Sequence, residues 1–155
     1  MPVRAVRFVA ILSLALYLVP SGAHLIALPN KAGLDDVTYL AVQQIYRGWA
    51  LAGLVLVVAL VSTGMLAFLS RVQRRAFLLA AVGFGSLVAS AVTFFVLVFP
   101  ANQATGNWTR VPPEFPALRS QWEAGHAIAA VLVLLALIAT VLACLAWCEV
   151  PPSAE

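Results

Sequence analysis

The sequence predicts an all-α membrane protein, a four-helix transmembrane bundle with a small polar extracytoplasmic cap. Three observations carry that prediction. Of 155 residues, 63% are hydrophobic and 10% charged, with a mean hydropathy of +1.01, whereas soluble domains carry about a quarter charged residues. The apolar residues fall into four runs, at about 6–28, 45–69, 76–99 and 122–147, each long enough to cross a hydrocarbon layer of about 30 Å. Arginines gather at helix ends: Arg4 and Arg7 before the first run, and Arg71, Arg74 and Arg75 in the turn between the second and third. Dense arginine in short connections marks the cytoplasmic side of a plasma or inner membrane. Both termini and this turn are therefore expected inside, and the connections at about 29–44 and 100–121 outside. Residues 1–155 read as one four-span domain. A formal charge of +3 without interleaved basic and aromatic residues gives nucleic-acid binding no support.

The first run follows a basic start and contains Ser21-Gly22-Ala23, a small-residue pattern that a cleaved signal peptide also shows. Its apolar character resumes at Leu25, Ile26 and Leu28, so it is read as a retained span. Pro20 is expected to kink it beside Ser21, Gly22 and His24. Pro29-Asn30 reads as its exit, followed by a polar connection holding Asp35 and Asp36. The second span opens with Tyr46, Arg47 and Trp49, and Gly48, Gly53 and Gly64 allow close helix approach. The third ends at Pro100; the fourth runs from Trp122 to Trp147 and is stopped by Pro151-Pro152. Cys144 and Cys148 share a helix face near the reducing side. No disulfide is expected there, and a thiolate metal pair is a minor alternative.

The halves read as two versions of one helical hairpin, each with an apolar helix, a proline-asparagine exit, a polar connection and a glutamine-led return helix. Gln44, Gly48 and Ala50 align with Gln121, Gly125 and Ala127, setting Tyr46 against Glu123 and Trp49 against His126. Both halves run in the same direction, as in parallel repeats about the membrane normal.

Chemistry concentrates in the long polar passage from Asn102 to His126. Glu123 and His126 are three apart and share a helix face. His24 falls at a comparable depth in the first span. Ionisable groups near apolar surroundings are costly unless paired, hydrated or functional. The candidate pocket is thus His24, Asn30, Arg47, Asn102, Glu123 and His126. Two imidazoles and a carboxylate suit non-haem iron, and imidazole also suits copper or zinc, so His24, Glu123 and His126 are the candidate ligands of an iron or copper site. The structural alternative pairs Glu123 with Arg47 and hydrogen-bonds the histidines to loop carbonyls, Asn30 or Asn102. Tyr39, Tyr46, Trp49, Trp108 and Trp122 are expected as an outer interfacial belt, with Trp147 its inner counterpart. Asn107-Trp108-Thr109 matches the N-glycosylation pattern and marks exposure. The span interiors hold serine and threonine but no ionisable residue, which argues against an ion path.

With Pro100-Ala101-Asn102, Asn107-Trp108-Thr109 and the run from Leu118 to Ala127, LRSQWEAGHA, the chain resembles the small four-span proteins of the anthrone oxygenase-like family. The resemblance extends from Pro29-Asn30 and Tyr46 to the block of Pro100, Asn102, Arg119 and Trp122. This chain carries Glu123 and His126 where that family has a run richer in asparagine and arginine. Some members are implicated in oxygen-dependent oxidation of aromatic polyketides, so the resemblance implies an apolar substrate entering from lipid. Two functions are expected to compete: oxidation or binding of a hydrophobic small molecule in an outward-facing pocket, and a non-catalytic accessory or scaffold role. In the second, the bundle docks on a larger membrane complex or on a second copy of itself.

Overall fold

The computed structural model describes residues 3–147, and every regular element in it is helical. Helix α1 spans Val3–Ala32 and α2 spans Asp36–Gln43; 3₁₀ turns at Gln44–Tyr46 and Trp49–Leu51 lead into α3, Ala52–Ser70. Helix α4, Arg74–Thr93, passes through a π-helical segment, Phe94–Val98, into α5, Phe99–Ala104. Helix α6 covers Phe115–Ala146. Four stretches are long and apolar enough to cross a membrane: Val3–Ala32, Trp49–Ser70, Arg74–Ala104 and Phe115–Ala146. Cys148 and Pro151-Pro152 lie outside the described residues.

Helix α1 packs on α3, α3 on α4, α4 on α6 and α6 back on α1, which closes a four-membered ring. Small side chains make this possible. Ala10, Ala59, Ala67, Ala76, Ala80, Ala129, Ala130, Ala136, Ala139 and Ala143 are buried, while Phe8, Leu16, Val19, Leu54, Val61, Phe95, Val131 and Leu145 point outward. That is the arrangement lipid favours, since bulky apolar groups gain nothing by leaving hydrocarbon and small ones let backbones approach. Several polar side chains that enter the bundle bond backbone or one another: Ser13 and Ser62 hydroxyls are 3.4 Å apart, and Thr63 donates to Ala59 O at 2.7 Å.

Three spans overrun their expected ends, each for a physical reason. Helix α1 continues through Pro29 to Ala32. Its end is capped from α6, where Arg119 donates to Ala32 O at 3.2 Å, to Lys31 O and, just beyond the helix, to Leu34 O at 2.8 Å. Such tertiary capping replaces the local stop that Pro29-Asn30 suggested. The third span continues past Pro100 because the π segment precedes it: Phe99 N–H reaches Phe94 O, and the proline sits in the first turn of α5, where its missing donor costs little. Helix α6 begins at Phe115-Pro116, two turns before Trp122, with proline in its first turn and the Phe115 ring fully buried.

The aligned halves adopt different local backbones. Gly48 turns at φ +89° between two 3₁₀ segments, whereas Gly125 lies inside continuous α-helix. A Cβ at Gly125 would stand 2.8 Å from Val98 Cγ2 and 2.9 Å from Leu97 Cβ, so α6 meets the π segment there at a distance only glycine permits. Gly125→Val is expected to cost about 1–3 kcal/mol by overpacking, measured by SDS titration of the protein in mixed micelles. A loss below a few tenths would mean that the contact yields freely.

Candidate functional site

The site forms where α1, α2, the Tyr46–Trp49 turn and α6 meet. On α6, Arg119, Trp122, Glu123 and His126 follow the i, i+3, i+4, i+7 spacing of one helical face. On α1, His24 and Lys31 are seven apart and also share a face, because the helix does not end at Pro29. Asp35 seats α2 by accepting from the backbone N–H groups of Val37 and Thr38 and from the Thr38 hydroxyl, at 3.1, 3.0 and 2.7 Å. The Thr38 hydroxyl, with those amides, holds the Asp35 carboxyl below the ordinary carboxylate range.

Glu123 is paired with Lys31. The Lys31 ammonium stands 2.8 Å from Oε1 and 3.0 Å from Oε2, and the two side chains are 3% and 10% exposed. Tyr39 completes the network, its hydroxyl donating to Oε1 at 2.8 Å. Burial first, and then the neighbouring carboxylate, push the Tyr39 hydroxyl above its ordinary range and keep it a donor. Lys31 also lies over the rings of Trp122 and Tyr46, 4.8 and 5.3 Å from their centroids. Arg119 covers the Tyr39 ring at 4.0 Å and approaches Asp36 at 3.9 Å.

Beside this network the two histidines stack, with ring centroids 3.9 Å apart and planes inclined by 25°. Aromatic rings surround them. Tyr46, Trp122 and Trp49 lie 4.2, 5.0 and 5.5 Å from the His24 ring, and Trp122 lies 4.2 Å from His126. His24 is buried and its Nδ1 has no hydrogen-bond partner. Half-buried His126 and Trp49, 37% exposed, form the edge where the stack meets its surroundings. Asn102 holds the wall behind, its Oδ1 accepting the indole N–H of both Trp108 and Trp122, at 2.8 and 2.9 Å. Trp108 pays for its place with a left-handed backbone at φ +64°, following Gly106 and Asn107 in the same region. A bulky residue persists there only when its surroundings over-determine it. Here the Thr105 hydroxyl accepts its backbone N–H at 3.1 Å, Gln44 donates to its carbonyl at 2.9 Å, and Tyr39, Phe115 and Trp122 enclose its ring.

Several expectations change. Glu123 is engaged by Lys31 and Tyr39, and Arg47 is exposed and donates to Gln44 Oε1 at 2.7 Å, so the Glu123–Arg47 pair does not form. The three-ligand metal centre of His24, Glu123 and His126 is not assembled. Among the described residues no three histidine, cysteine, aspartate or glutamate side chains gather as a ligand set, and the carboxylate that would complete one is held by the ammonium. The histidines face each other rather than Asn30, which is exposed. Asn102 serves indoles, not imidazoles. Tyr39, Trp108 and Trp122 are at most 5% exposed, so they line the interior instead of forming an interfacial belt.

Lys31 and Tyr39 were not among the candidates. Lys31 was hidden by the apparent helix exit before it, whereas Tyr39 gave no signal beyond its type. The face formed by Arg119, Trp122, Glu123 and His126 was visible as spacing, although its partners were not. Comparison of the chain with known protein families, with curated proteins and with solved structures finds no match.

Proposed function

We propose that the protein is an integral membrane protein that binds a flat, hydrophobic small molecule at its outer end, against the edge of the His24–His126 stack. The observation that carries this reading is the stack itself, two imidazoles in ring contact inside a frame of Tyr46, Trp49 and Trp122. Each added ring contact stabilises an aromatic guest by about 0.5–1.5 kcal/mol beyond its area burial. The Lys31–Glu123–Tyr39 network fixes a polar floor beside the stack. The resemblance to anthrone oxygenase-like proteins supports an aromatic guest and makes oxygen-dependent oxidation the first chemistry to assay. The arginine density of the opposite end supports an outward-facing site.

The test is tryptophan fluorescence of the protein in lipid nanodiscs, titrated with a planar tricyclic aromatic and with an aliphatic molecule of similar hydrophobicity. Saturable quenching by the aromatic alone is expected. His126→Leu should weaken it about tenfold, a loss of about 1.4 kcal/mol. His126→Phe, which keeps a ring, should retain most of the binding. Quenching that is linear for both molecules and indifferent to His126 would overturn the proposal and favour the accessory-subunit reading.

A further inference from the structure

At the opposite end of the bundle a groove of about 460 Å³ opens between the start of α4 and the end of α6. Its volume lies within the range of small-ligand sites. Leu78, Leu79, Leu142, Leu145 and Ala146 form the walls and Arg75 the rim. Leu78, Leu142 and Leu145 are exposed along the lipid-facing surface, at 52%, 45% and 77%. Arg75 is exposed and has no ion-pair partner among the described residues. Among the described residues the charge around it has one sign. Arg4, Arg7, Arg71, Arg74 and Arg75 all belong to this end, whereas the described acidic residues, Asp35, Asp36, Glu114 and Glu123, belong to the other.

We infer that this groove holds one anionic phospholipid, its phosphate on Arg75 and an acyl chain along Leu78, Leu79, Leu142 and Leu145. The chemistry matches at both ends of the guest. A guanidinium gives a phosphate two parallel charge-assisted hydrogen bonds, and basic recesses between spanning helices are recurrent anionic headgroup sites. The apolar channel begins directly below that charge, so headgroup and chain are engaged together. A neutral phospholipid satisfies only the channel. Its phosphate is already balanced by its own cation.

Native mass spectrometry of the detergent-purified protein, with phosphatidylglycerol and phosphatidylcholine of identical acyl chains, tests the assignment. Wild type should retain a single phosphatidylglycerol about tenfold more strongly than phosphatidylcholine, as one charge-assisted contact predicts. Arg75→Gln should bring that ratio to within about twofold, and Arg74→Gln, one residue away but outside the groove, should leave it unchanged. Leu142→Trp, which fills the channel and spares the charge, should reduce retention of both lipids. Each variant is first matched to wild type in elution volume and helicity. Equal retention of the two lipids by wild type would overturn the inference. So would equal effects of Arg74→Gln and Arg75→Gln, which would show diffuse attraction to the arginine-rich end rather than a site.

Discussion

Lys31→Met is expected to destabilise the protein by about 3–5 kcal/mol, because it strands the Glu123 carboxylate in a site where that residue is 8% exposed. Among the described residues only the Tyr39 hydroxyl then remains to the carboxylate as a donor. Glu123→Gln should cost less. The Lys31 ammonium it leaves behind still lies over the rings of Trp122 and Tyr46, and its contact with a neutral amide oxygen survives. Removing both charges with Lys31→Met and Glu123→Leu should be closer to neutral than Lys31→Met alone, since matched apolar groups replace an ion pair that had to be desolvated. SDS titration of wild type, Lys31→Met, Glu123→Leu and the double variant in mixed micelles gives the coupling as a double-mutant cycle. Single losses below about 1 kcal/mol would place the pair with exposed ion pairs and contradict its burial.

Asn102→Leu is the second large expected effect. A single side-chain oxygen accepts two indole N–H groups, from Trp108 and Trp122, so its removal leaves both donors without a partner. The expected loss is on the order of 3 kcal/mol, as each unsatisfied buried donor costs about 1–3 kcal/mol. Trp108 is the more vulnerable of the two. Its backbone is held at φ +64° by contacts that include this bond, and a released Trp108 is free to return to an ordinary conformation. Asn102→Asp keeps an acceptor at the same position and should retain most of the stability. Thermal unfolding followed by tryptophan emission separates the variants: Asn102→Leu should unfold earlier and emit at longer wavelength while still folded. Emission unchanged from wild type would show that the indoles do not depend on Asn102.

Four spans were legible in composition alone, because an apolar run about 20 residues long has few other fates. The ends of those spans were not, because one depends on a residue far away in sequence and another on an irregular turn of helix. Pro29-Asn30 has the chemistry of a helix exit, and only Arg119, arriving from α6, supplies the donors that let α1 run to Ala32. Pro100 likewise reads as a stop until the π segment before it absorbs the missing N–H. The site followed the same division. His24, Glu123 and His126 stood out as rare ionisable groups, and the structure brings the imidazoles together. The partner of Glu123 was misread as Arg47, because two cations of equal formal charge cannot be ranked by depth until the helix carrying one of them is known to continue. Aromatic residues near helix ends fit a belt and a buried frame equally well. Tyr39, Trp108 and Trp122 needed the fold to decide.

The Lys31–Glu123 bond joins residues 92 apart in the chain, one near the end of α1 and the other in α6. During biogenesis α1 therefore reaches the bilayer with its lysine uncompensated, and stays so until α6 has emerged from the ribosome. The bond closes α1 onto α6. A chain that stops before Phe115 lacks the carboxylate that Lys31 pairs with, so the seam between α1 and α6 depends on both helices being present.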